Sequence, residues 1–95
     1  MGDRHELHYV EVEQFGQLKG FAFCDPNTTY IRYQIAVPNE QVNKWHAVEV
    51  CRGGDEPFEF VHLGYYKSRA EAFRAIRKAW TQQLKLLQGG EPDGD

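Results

Sequence analysis

Residues 68–88 constrain the fold more than any other part of this chain. Ser68 is followed three positions later by Glu71, the pattern of a capping box. In such a box the hydroxyl accepts from an early helix N–H and the carboxylate reaches back over the helix start. Phe73, Ile76, Trp80, Leu84 and Leu87 then recur at spacings of 3, 4, 4 and 3, which puts them on one helical face. Gly89-Gly90 stops the helix. An apolar stripe of this kind is held by packing rather than by helix propensity, so the rest of the chain must supply a surface to cover it.

That surface reads as a sheet. Residues 7–15 alternate, with His8, Val10 and Val12 on one face and Tyr9, Glu11 and Glu13 on the other. A turn around Gly16 and Gln17 leads into residues 18–24, the weakest strand pattern because of Gly20. Asp25-Pro26-Asn27-Thr28 is a turn, since Pro presets φ and Asp and Asn bond to their own backbone. Residues 29–37 are the cleanest strand, with Ile31, Tyr33, Ile35 and Val37 on one face and Tyr30, Arg32, Gln34 and Ala36 on the other. Residues 44–51 follow, then a Gly53-Gly54-Asp55 turn, then residues 58–63, closed by Gly64. Strands first and one long helix last define an α+β fold: an antiparallel meander of about five strands with a C-terminal amphipathic helix, about 68–88, packed on one face. Thirteen aromatics (six Phe, five Tyr, two Trp) in 95 residues suit such a sheet. The length sets one compact domain over residues 1–90, with 91–95 an acidic, disordered tail.

Charge is divided unevenly. Residues 1–66 carry 5 basic and 10 acidic side chains, net −5; residues 67–88 carry 6 and 1, net +5. Glu91, Asp93 and Asp95 bring the formal total to −3. The row Arg74, Arg77, Lys78 and Lys85 beside the apolar stripe is therefore a local basic surface on an acidic body, which opposes a broad grip on phosphates. No apolar run approaches the length of a membrane span, and the polar start MGDRHELHYV lacks the apolar core of a secretory signal. The expectation is a cytoplasmic protein with Cys24 and Cys51 as reduced thiols.

Catalytic and metal chemistry find little support. His5, His8, His46 and His62 with the two cysteines lack the C-x-x-C or H-E-x-x-H spacing of a metal site. There is no nucleophile elbow and no phosphate-cradling Gly-rich loop, and Arg52-Gly53-Gly54-Asp55 reads as a hairpin turn. Glu11, Glu13 and Glu49 read as a solvated sheet face. The sequence thus implies no enzyme, no metal and no cofactor. Tyr30, Trp45, Phe58, Phe60, Tyr65 and Tyr66 would be able to stack on bases if exposed, and otherwise fill the core.

The run KWHAVEV over residues 44–50, followed by HLGYYKSRAEAFRAI over residues 62–76, resembles the second half of AP2-type and integrase arm-type DNA-binding domains. The shared features are Lys44-Trp45, Leu63-Gly64, the Ser68 cap and the alanines Ala70, Ala72 and Ala75. The resemblance implies three strands plus a helix over residues 29–88, with the sheet reading DNA. Val48, Val50, Phe60 and His62 stand where that family carries its ionic readers, and Arg32 alone matches in kind.

One helix can cover only one face of a five-stranded sheet. The leading expectation is therefore a small non-catalytic interaction module, a regulator or inhibitor. It would dock on a protein partner through the open face, at Tyr30, Arg32 and Gln34, or through an edge strand. The alternative is an AP2-like nucleic-acid binder using Arg32, Lys44, Arg74, Arg77 and Lys78.

Overall fold

A computed structural model describes residues 6–28, 30–53 and 56–87; the side chains of residues 52, 53, 56–58 and 87 are outside that description. Five strands are followed by one helix: β1 His8–Gln14, β2 Gln17–Cys24, β3 Ile31–Ala36, β4 Trp45–Gly53, β5 Glu56–Tyr66 and α1 Arg69–Leu87. The strands form one sheet in chain order β1-β2-β3-β4-β5, every neighbour antiparallel. This is the α+β meander expected from the alternation and turn spacing. Gly54, Asp55, Thr29 and the acidic tail fall outside the described residues.

The helix begins as its capping box dictates. Glu71 N–H donates to Ser68 Oγ at 3.1 Å, and Glu71 Oε1 accepts from Lys67 N–H at 3.2 Å, one residue before the cap. Ala72, Phe73, Ile76 and Trp80 are buried, and Leu84 packs at the edge of the same core. Facing them from the sheet are Phe21 and Phe23 on β2, Tyr33 and Ile35 on β3, and Ala47 on β4. The helix backbone approaches β4 and β5 most closely, with Ala72 and Ala47 both fully buried in the shared core. Long side chains bridge to the far strands. Phe73 meets Phe21, Phe23 and Tyr9 edge-on with ring centroids 5.0, 5.0 and 5.1 Å away. Arg69 lies over the Phe21 and Phe73 rings at 4.8 and 5.0 Å.

The ladders shift register at four points, one of them between Cys51 and Gly53 near the β4–β5 turn, and each of the other three has a consequence that simple alternation misses. Between Val12↔Gly20 and Glu13↔Leu18, Lys19 is the extra residue. Between Phe23↔Tyr33 and Cys24↔Ile31 it is Arg32, whose guanidinium reaches the helix side and sits 5.7 Å from the centre of the Trp80 ring. Between Ala47↔Gly64 and Val48↔His62 it is Leu63. That last bulge is why the final strand does not close at Gly64 as its sequence suggests. The ladder resumes through Tyr66, and the missing side chain at Gly64 leaves room for the Tyr66 phenol, 2.8 Å from where a Cβ would stand.

Gly20 lowers the strand signal of β2, yet this strand carries two of the most deeply buried rings in the molecule, Phe21 and Phe23. The cause is steric: a Cβ at Gly20 would run into the Ile35 carbonyl oxygen on the neighbouring strand. Replacing Gly20 with Ala is expected to destabilise the fold by about 1–3 kcal/mol, read as a lower urea midpoint with unchanged m-value. At the β1–β2 turn the opposite change should help. Phe15 and Gly16 both have positive φ, 54° and 77°, the pattern of a tight type I′ hairpin that favours Asn-Gly. Phe15→Asn is expected to raise stability by roughly 1 kcal/mol in the same assay.

Candidate functional site: the helix-free face of the sheet

Side chains alternate across the sheet, so the residues paired with one another along each row share a face. The rows opposite the helix are Val10–Ala22–Gln34–Val48–His62 and Val12–Gly20–Ala36–His46–Tyr65. Beside them lie His8–Cys24–Ile31 and the Val50–Phe60 pair. The helix does not pack on this face, where Val10, Val12, Ile31, Phe60 and Tyr65 are exposed and Ala22 and Val50 are buried among their neighbours. These exposed apolar residues are on β1, β3 and β5, with the polar Gln34 and His46 between them in the rows, and apolar groups gathered on one face mark interaction surfaces more often than ordinary exterior.

The face has two halves of different relief. Its low part is on β2 and β3, at Gly20, Ala22 and Ala36, where a shallow depression is lined by Val12, Lys19, Gly20, Gln34, Ala36, His46 and Val48, while Val10 and Val12 stand exposed on β1. Over β4–β5 it is a ridge of rings. His46 is directly opposite Tyr65 and diagonal to His62, and the three rings pack together with centroids 4.6–4.9 Å apart. His46 Nε2 and His62 Nδ1 are 2.8 Å apart, a hydrogen bond that requires one nitrogen to carry a proton and the other to be free. Burial, and secondarily the neighbouring His62, hold the His46 pKa below the ordinary histidine range. The sequence contains these histidines on separate strands. Their meeting depends on the register around the β4–β5 turn and on the Leu63 bulge, which no local pattern reveals.

The expected partner-binding residues are not all on this face. Gln34 is, half-buried in the middle row. Tyr30 is exposed ahead of β3, where its carbonyl accepts from Asp25 N–H at 2.9 Å. Arg32 is turned by its bulge toward the helix, over Trp80 and 3.8 Å from Asp25, the buried carboxylate that also caps the turn by accepting from Asn27 N–H at 2.7 Å. Its contacts are those of a brace between the β2–β3 turn and the helix.

The expected nucleic-acid set is not gathered on one surface either. Arg74, Arg77 and Lys78 are exposed along the helix. Lys44 precedes β4 and Arg32 opens β3, at opposite ends of antiparallel strands and therefore roughly 20 Å apart. Of the aromatics, Phe60, Tyr65 and Tyr30 are exposed, whereas Trp45 stacks on Phe21 and Tyr66 packs against the core. Phe58 has no described side chain.

Cys24 lies on the helix-free face and Cys51 on the helix face two strands away; both are free thiols. Burial, then Glu49 and Glu59, push the Cys51 thiol pKa up, which keeps it a poor nucleophile. On the helix side, burial and then Glu49 raise the Tyr33 hydroxyl to about 12. Among the described residues no group of three or more His, Cys, Asp or Glu side chains gathers to hold a metal. No described helix is long and apolar enough to cross a membrane.

No protein-family model, curated protein or solved structure matches this chain. The likeness to AP2-type domains therefore rests on the motif residues alone.

The His46 environment sets a pH response. In the unfolded chain this imidazole protonates near pH 6.5, and in the folded protein only below that. The unfolded state then binds more protons in the intervening window, so stability rises with pH there. The contribution is complete above about pH 6.5 and is lost as the pH falls through the folded-state value. Urea unfolding at about pH 5 and pH 7.5 is expected to show lower stability in acid, with the difference reduced in His46→Gln.

Proposed function

We propose that this chain is a non-catalytic docking module whose helix-free sheet face binds a protein partner. The observation that carries this reading is the set of exposed apolar residues Val10, Val12, Ile31, Phe60 and Tyr65 on one face of the sheet, with the helix core packed on the opposite side. A surface of this composition resembles the desolvated centre of a protein interface, where aromatic residues are enriched and charged ones depleted. Phe15 adds support. A bulky aromatic at positive φ, 91% exposed at a hairpin tip, costs stability and buries almost nothing against the described residues. Such a ring is well placed as an anchor beside the face.

A protein of this kind acts by occupying its partner's surface, which suits a regulator or inhibitor. The face offers little to a phosphate backbone: its paired rows carry Gln34, Cys24, the Tyr65 hydroxyl and three imidazoles, with Lys19 alone as a cation at the margin. The exposed helix cations Arg74, Arg77 and Lys78 have no carboxylate partner among the described residues, but they lie on the other side of the molecule.

Site-specific photo-crosslinking in the native host tests the reading. A benzophenone side chain at position 60 or 65 is expected to capture protein in covalent adducts, whereas the same group at position 74 or 78 is not. Capture only from the helix positions, or from none, would remove the sheet face as the docking surface.

A further inference from the structure

Resting on that docking reading, we propose that the helix-free face binds a second copy of itself, two sheets stacking face to face about a two-fold axis that runs along the strands. Three observations on the face point to this occupant.

The first is relief. An isologous contact requires a patch that complements itself. Here the small-residue half, with Gly20, Ala22 and Ala36, and the ring half, with His46, Phe60, His62 and Tyr65, occupy opposite sides of one surface. A two-fold axis parallel to the strands reverses the strand order of the second copy. β4 of each protomer then lies over β2 of the other, so that His46 faces the low strand at Gly20 and Ala22, and the β5 rings lie over Val10 and Val12 of β1. An axis across the strands would instead set ridge on ridge and depression on depression.

The second is charge. The paired rows that make up the face contain no Asp, Glu, Lys or Arg. Two copies can therefore meet without burying like charges against each other, which is the usual obstacle to self-association of a surface. Lys19, at the margin of the depression, is long and exposed enough to keep its ammonium in water.

The third is area. Five strands at about 4.8 Å spacing, with roughly six residues each at about 3.3 Å, give a face on the order of 500 Å². Two such faces bury about 1,000 Å², at the lower limit for a specific interface. That area suits a reversible dimer with a dissociation constant in the micromolar range. Aligned packing of two twisted sheets about 10 Å apart is also an established arrangement for such surfaces.

Analytical ultracentrifugation of the full chain, from low micromolar to near-millimolar concentration, is the test. The expected result is a concentration-dependent monomer–dimer equilibrium. Val12→Lys and Tyr65→Lys, both at exposed positions, should each weaken it at least tenfold while circular dichroism shows the fold intact. Arg74→Glu on the helix should leave it unchanged. Benzophenone at position 65 of the purified protein should cross-link to residues 8–24 of the other copy. A monomer at every concentration, a dimer indifferent to Val12→Lys and Tyr65→Lys, or cross-links from position 65 to β5 would each overturn the proposal. A monomeric protein whose sheet face still captures a different protein in the host would overturn self-association alone and leave the docking reading standing. Absence of capture from that face in both settings would overturn both.

Discussion

The fold depends on the aromatic cluster around Phe73. The helix backbone lies nearest β4 and β5, so the first two strands are held to it by reach rather than by close approach. Phe73 spans that gap, meeting Phe21 and Phe23 on β2 and Tyr9 on β1 edge-on. Edge-to-face ring pairs are directional as well as apolar, so they set the position of the β1–β2 hairpin as well as its attachment. Arg69 closes the open side of the cluster with its guanidinium over two of the rings. Without these contacts the hairpin would be joined to the rest of the molecule by the β2–β3 ladder and the Phe21–Trp45 stack, and two-stranded hairpins have little stability of their own.

Committing the helix to one face leaves the other in water, and the two faces divide their work accordingly. Ala47 and Ala72 permit close approach on the helix side, and the large rings fill the remainder. The opposite face has small side chains at its centre because the strands themselves come close there: Gly20 is forced by the Ile35 carbonyl, and Ala22 and Ala36 flank it. The depression is thus a by-product of how β2 and β3 pair. The ridge of His46, His62 and Tyr65 is produced by the Leu63 bulge, which shifts the β4–β5 register and sets His46 opposite Tyr65. The relief invoked for docking therefore arises from backbone geometry, and single side-chain changes at the surface would alter its chemistry more than its shape.

Much of the architecture was legible in the sequence because it is written in local signals. The Ser68 cap and the stripe of Phe73, Ile76 and Trp80 define the helix, and alternation with turn residues defines the strands. The site was less legible, and the reason is the bulges. Strict alternation puts Arg32 beside Gln34, yet one unpaired residue in the β2–β3 ladder turns its guanidinium to Trp80 and Asp25. Alternation gives no hint that His46 and His62 meet, because their contact depends on pairing across a turn and on an inserted residue. Gly20 weakens a strand pattern, yet its cause is the approach of a neighbouring backbone. Each missed feature depends on residues distant in the chain, whereas each correct one is set by neighbours within a few positions.

The charge division in the sequence takes on a different meaning in this geometry. Glu11 and Glu13 lie on the helix side of β1 with Tyr9, and Glu49 lies on that side of β4 beside Tyr33. The excess cations are on the helix itself, among them Arg69, Arg74 and Arg77. Negative sheet and positive helix therefore belong to the same half of the molecule, where opposite charges lower each other's energy over distances comparable to the Debye length. The basic row along residues 74–78 thus belongs to the same side of the molecule as these carboxylates. Because charge is concentrated on the helix side, the opposite face is left neutral. A neutral apolar face on a domain otherwise rich in charge is costly for solubility, and in the reading proposed here docking is what offsets that cost.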